Sequence, residues 1–254
     1  MSELEDLSSL EFISFLFSVN LFRYFLVAGL FFLFYYVIFR QRWVLKKIQP
    51  KFPKRKDYLR EIMYSLISMG IFALIAWIVI RTPFSQFTLR YESIELYGWT
   101  YWGFSIILMI LLHDTYFYWT HRAIHHPKIF RKIHAIHHKS QNPSPWAAFA
   151  FHPIEGIITA AVIVPISLFI PFHTSSLIIF LFFMIVYNAY GHLGYELYPK
   201  NFPETIIGKW INTSISHNQH HEKFNGNYGL YFLFWDRWMG TLRTDYNSAF
   251  KLKK

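Results

Sequence analysis

Long apolar runs alternate with short charged segments along this chain, a pattern that predicts helices crossing a membrane. Leu21–Phe39 is about long enough to span a bilayer, with Arg23 placed to snorkel at its outer end and Phe15–Val19 along the interface. Ile62–Ile80 predicts a second span, uncharged, with Gly70 as its one breaker. A third begins near Trp99 and runs through Leu112 into His113-Asp114-Thr115-Tyr116-Phe117-Tyr118-Trp119, anchored by Trp99, Trp102, Tyr118 and Trp119. Ile154–Phe172, which contains Pro165, and Leu177–Tyr187 predict a hairpin of two more, short or tilted, across Pro171-Phe172-His173-Thr174. The expected fold is all-α: an integral membrane protein of about four to five transmembrane helices with a helical cap. Residues 1–100 read as an N-terminal membrane-spanning region, 101–245 as the domain carrying the chemistry, and 246–254 as a basic tail.

Composition supports this reading. The chain has 254 residues, 54% hydrophobic and 21% aromatic; its 16% of charged residues falls well short of the roughly 25% of a soluble domain. Mean hydropathy is positive but modest, so a polar part must accompany the spans. The first residues, Met1–Glu11, are acidic, lack the basic start of a secretory signal and read as retained. The net charge of +10 is concentrated instead between Arg40 and Arg60, where nine basic residues face only Asp57. Flanked by apolar runs, that block reads as a cytoplasmic loop, and nucleic acid is excluded as a partner because no soluble binding domain surrounds it. Counting from an external N-terminus places His121–His152, and the chain from about His192 onward, in the cytoplasm. Twelve of the thirteen histidines then share one face, His173 being the exception.

With no cysteine, disulfides, thiolate zinc sites and iron–sulfur clusters are excluded. The histidines form three clusters: His121-Arg122-Ala123-Ile124-His125, His134-Ala135-Ile136-His137-His138 and His217-Asn218-Gln219-His220-His221. Residues three and four apart share a helix face, so each cluster aims several imidazoles at one point. Adjacent histidines diverge by about 100°, which lets one segment serve two ions. Eight imidazoles exceed the needs of one ion and imply a histidine-rich dimetal site. Asn188 and His192 are spaced i, i+4 at the end of the fifth span, so His192 becomes a ninth ligand and Asn188 an outer or water-bridged partner. Helical rotation brings Asp114 to within about 20° of the stripe of His121 and His125, where a carboxylate can accept a ligand's second N–H. His113 is rotated away by about 80° and is, like His152, at most an outer partner. Glu155 suits the positive end of a helix that opens at Pro153. A lone histidine is ordinarily interfacial or satisfied in a core, and that bland reading is applied to His126 and His173.

These residues resemble the fatty acid hydroxylase/sterol desaturase superfamily of membrane diiron enzymes, over roughly His113–Leu242. The likeness rests on the three histidine clusters in order, on Ala150-Phe151-His152-Pro153-Ile154-Glu155, on Asn227-Tyr228-Gly229 and on Phe234-Trp235-Asp236-Arg237-Trp238-Met239-Gly240-Thr241. Within it the sterol C-5 desaturase branch is nearest. The resemblance implies two Fe with O2 as co-substrate, and desaturation or hydroxylation of a sterol-like or other apolar lipid. It implies His121, His125, His134, His137, His138, His217, His220 and His221 as ligands, with His192 matching a further family histidine. Some relatives carry histidine where Asn188 stands. The chain has no dinucleotide fingerprint, so electrons must come from an external carrier: a reductase, a b-type cytochrome or a ferredoxin by family likeness. That partner would dock on the basic cytoplasmic face built from Arg40–Arg60, Arg122, Lys128, Arg131, Lys132 and Lys139. The membrane is the inner or plasma membrane of a bacterium or the endoplasmic reticulum of a eukaryote, with the metal on the cytoplasmic face. The alternative is a histidine-rich divalent-metal transporter or metal-binding membrane protein, whose site would lie near mid-membrane on broken helices.

Overall fold

The computed structural model describes residues 6–252. The predicted retention of the acidic start falls partly on residues 1–5, which lie outside the described residues, as do 253–254. Helix α1 (Ser9–Phe32) opens on a capping box in which Ser8 and Glu11 exchange hydrogen bonds, and continues through a π turn at Leu33–Ile38. It starts well before Leu21, so Phe15–Val19 belong to the same helix, and Arg23 bonds back to Asn20 at 2.6 Å. Helix α2 (Arg55–Arg81) packs against α1, followed by α3 (Gly98–Ile124), α4 (Pro127–Ile133), α5 (Pro153–Ala160), α6 (Ile163–Phe169) and α7 (Thr174–Gly191). Helices α8 (Ser214–Lys223), α9 (Phe234–Trp238) and α10 (Tyr246–Lys251) close the chain. The segment set apart as a basic tail thus begins as a helix whose Tyr246 and Phe250 pack on Ile215 and Leu233.

Among the described residues, three helices are long and apolar enough to cross a membrane: α1 with its π turn, α2 and α7. The 27 residues of α2 rise about 40 Å, more than a hydrocarbon core of about 30 Å. Their outward faces stay apolar, as Phe22, Leu26, Leu30, Met63, Ile67 and Leu74 illustrate, which suits lipid and not water. The third predicted span lies in α3, whose last turns carry His113, Asp114, His121 and Arg122. The fourth is divided into α5 and α6. Pro165 has no N–H to offer the Ala161 carbonyl, which bonds Val164 instead at 3.0 Å, and the helix breaks there. Tyr24, Ala28, Met69, Ile185 and Ala189 knit α1, α2 and α7 into one core, and Met109, Ile166 and Phe180 join α3 and α6 to α7 in a second.

The two ends of this stem differ. At one, β1 (Arg90–Tyr91) pairs in parallel with β2 (Phe172–His173), with Arg90 opposite Phe172. At the other, the basic segment folds onto the cap: Glu196 N donates to Lys46 O at 3.0 Å and Gln49 Nε2 to Asn218 Oδ1 at 3.0 Å. The basic block and the three clusters therefore share an end, and His173 lies at the opposite one.

Candidate metal centre

Helix α3 delivers His121 in its last turn and ends on His125 as C-cap, one turn further along the same face. The short α4 stops at His134, and a 3₁₀ turn at His137–Lys139 presents the next pair. His192 caps α7, and α8, whose N-cap Thr213 accepts from Ser216 N, carries His217, His220 and His221. These nine residues form two groups. His121, His125, His134, His138 and His220 make one; His137, His192, His217 and His221 make the other, and donor atoms within each lie within 4.8 Å of one another. The adjacent pairs divide as their divergence predicts, His137 from His138 and His220 from His221. The groups abut, with the His138 and His221 rings 4.8 Å apart.

Ring orientation decides what the groups can hold. His121, His192 and His220 each donate Nδ1–H to a main-chain carbonyl, of Tyr228 at 2.9 Å, Asn188 at 2.8 Å and Gly226 at 2.8 Å. Their Nε2 atoms are therefore bare lone pairs. Yet His192 Nε2 lies 3.0 to 3.3 Å from the Nε2 atoms of His217, His221 and His137, and one lone pair cannot accept from three partners. His220 Nε2 is buried with no hydrogen-bond partner among the described residues. Metal–imidazole bonds of about 2.1 Å would set neighbouring donors about 3.0 to 3.4 Å apart, which is the spacing found. Burial first, then neighbouring imidazoles, pushes His137, His217, His220 and His221 well below the ordinary histidine range, into the neutral form a metal requires. The donors are all imidazole, which suits iron, zinc, copper or nickel and not calcium or magnesium.

The outer partners differ from those the sequence proposes. Asp114 does not reach a ligand: its Oδ1 accepts the main-chain N–H groups of Tyr231 at 2.7 Å and Phe232 at 3.1 Å. His113 bonds the Tyr231 hydroxyl at 2.9 Å. His152 caps α5, accepting Ile154 N; His126 and His173 cap α4 and α7 in the same way. Asn188 orients His192 through its main-chain carbonyl, while its side chain donates to Ala148 O at 2.7 Å. The carboxylate that does orient a grouped histidine is Glu155, whose Oε1 lies 2.7 Å from His134 Nδ1, both residues being buried. Its signal in the sequence was a lone carboxylate within an otherwise uncharged apolar run.

The two late motifs prove to be one device. Asp236 accepts Tyr228 N at 2.9 Å, Gly229 N at 2.8 Å and the Thr241 hydroxyl at 2.7 Å, fixing the loop whose carbonyls orient His121 and His220. Gly229 is required there because a Cβ would stand 2.3 Å from the Phe232 carbonyl oxygen. Asp236→Ala leaves three donors without their acceptor. It should cost about 3 kcal/mol or more and lower the thermal midpoint of the detergent-solubilised protein, with Asp236→Asn retaining part of the loss.

A family model described as fatty acid hydroxylase matches residues 106–241. A Delta(7)-sterol 5(6)-desaturase of Gibberella zeae is 31% identical over 213 residues, 82% of this chain and 62% of its own length. A second, of Aspergillus fumigatus, is 32% identical over 174 residues, 61% of this chain and 53% of its own. The lathosterol oxidase of Mus musculus is 30% identical over 206 residues, 76% of this chain and 64% of its own. The chain thus spans between 53% and 64% of the length of these curated relatives. No solved structure matches it.

Proposed function

Because the chain belongs to the fatty acid hydroxylase family, we propose that it is an O2-dependent lipid desaturase or hydroxylase built on a diiron centre, acting on a sterol-like lipid. The observation that carries this reading is the convergence of nine imidazoles, eight of them buried, on two abutting points, with lone pairs that only cations can satisfy. The sterol preference follows the names of the relatives. Two irons held there would supply the oxidant for an unactivated carbon–hydrogen bond, which no side chain can supply. Overall, O2 takes four electrons and leaves as two waters in a desaturation, two electrons coming from the lipid and two from outside the chain. The protein contributes placement and dryness. Phe117 packs on His121 at 4.9 Å between ring centres and Phe151 on His137 at 5.1 Å, so apolar rings border both groups.

The metal end faces the cytoplasm in this reading, because the basic segment between Arg40 and Arg60 folds onto it. The electron donor is a separate protein, a b-type cytochrome, a ferredoxin or a reductase. A metal-transport role is disfavoured, since the imidazoles cluster at one end of the stem. The test is metal content with lipid-dependent oxygen uptake by the purified chain. About two irons per chain and uptake that requires a sterol are expected; a single zinc without oxygen chemistry would overturn the proposal.

A further inference from the structure

Eight of the nine grouped histidines are buried, and only His125 is partly exposed. It stands where α3 ends and α4 begins, its ring 5.2 Å from that of Phe130 and 5.1 Å from that of Tyr228. Both aromatics are themselves partly exposed. Around this opening the charge is of one sign. Arg122, Lys128, Arg131, Lys132 and Lys139 are exposed, and residues 121–140 contain no aspartate or glutamate. Lys128, Arg131 and Lys132 pair with no carboxylate among the described residues.

The other basic surfaces are less suited. In the Arg40–Arg60 block, Lys47 is buried and bonded to Gly194 O, Arg60 is paired with Asp57 and Arg40 lies over Phe52, while the exposed Arg42, Lys54, Arg55 and Lys56 flank no grouped histidine along the chain. The cleft of about 500 Å³ beside α8 carries Glu222 and Asp245 together with Lys51 and Lys223, so its charge is mixed.

We propose that an acidic one-electron carrier protein docks on the α3–α4 corner over His125, and that electrons reach the metal pair through that imidazole. The inference rests on the oxygenase reading above. His125 is the one grouped histidine that is partly exposed, so a carrier docked over this corner meets the metal site at its most accessible residue. With two irons held by these histidines, each docking would oxidise the carrier by one electron, and two dockings would supply the two external electrons that O2 requires. The positive corner steers an acidic partner and raises its rate of encounter.

The test uses the iron-loaded full chain in nanodiscs, with a pre-reduced acidic b-type cytochrome and a pre-reduced acidic ferredoxin as probes. Carrier reoxidation is followed by absorbance, with the rate divided by that of sterol oxidation driven by ascorbate with a small dye mediator, and binding of the oxidised carrier to the metal-free chain, which the first variant below should weaken likewise, is read by surface plasmon resonance. Combined Lys128→Glu, Arg131→Glu and Lys132→Glu substitutions should lower this ratio at least about tenfold at about 50 mM salt, less at about 0.5 M. The control Arg42→Glu, Lys54→Glu, Arg55→Glu should keep the wild-type ratio. An unchanged ratio and salt slope in the first variant, a loss in the control instead, or oxidation of neither carrier by wild type would overturn the inference. So would a loss confined to nanodiscs with anionic lipid, which would assign the patch to the membrane surface. Absence of mediator-driven sterol oxidation in wild type would overturn the oxygenase reading itself.

Discussion

Replacing His192 by alanine should leave at most about one metal per chain and reduce lipid oxidation by ~10³-fold or more. His192 belongs to the group of four, and its Nε2 is the atom nearest all three companions, at 3.0, 3.2 and 3.3 Å. Removing it leaves three donors for an ion that would keep four at the neighbouring group after a comparable loss. His125→Ala is that comparison: the group of five becomes a group of four. It should retain near two metals while His192→Ala does not. Metal analysis of the two purified variants checks this, and equal metal loss in both would remove the distinction between the groups.

The second large effect is expected at Glu155. Glu155→Gln keeps the shape but removes the charge that holds His134 Nδ1–H, and an amide can turn its NH2 group toward that N–H. Loss of a carboxylate that orients a ligating histidine should weaken metal retention or activity by about 10- to 100-fold. Metal dissociation into a chelator, timed for wild type and Glu155→Gln, measures it. The expected pattern is faster loss from the group containing His134 with the helix content unchanged. If retention is unaltered, the pair serves packing of α5 against the cap and nothing more.

Much of this architecture was legible because it is local. The spacing of His134, His137 and His138, or of His217, His220 and His221, fixes relative direction within a turn or two, and the structure divides them accordingly. The apolar runs of α1, α2 and α7 were equally plain, since their outward faces meet no competing polar demand. What escaped was nonlocal. Rotation along α3 sets Asp114 near the His121 stripe, but it cannot show that the main chain of Tyr231 and Phe232 lies beside it and claims the carboxylate. The carbonyls of Gly226, Tyr228 and Asn188 orient three of the grouped histidines, and a main-chain acceptor leaves no residue type to read. Glu155 was visible but ambiguous: its place in the first turn of α5 satisfies a helix terminus as readily as it satisfies His134.

The division of neighbouring histidines between the two groups has a consequence for loading. An ion bound by His138 and His220 fixes the segments that carry His137 and His221, so the first ion arranges half the donors of the second. The ordering cost falls largely on the first event, and occupancy becomes cooperative. Chains titrated with substoichiometric iron should therefore divide into empty and doubly loaded populations, with singly loaded chains scarce, as native mass spectrometry would count directly.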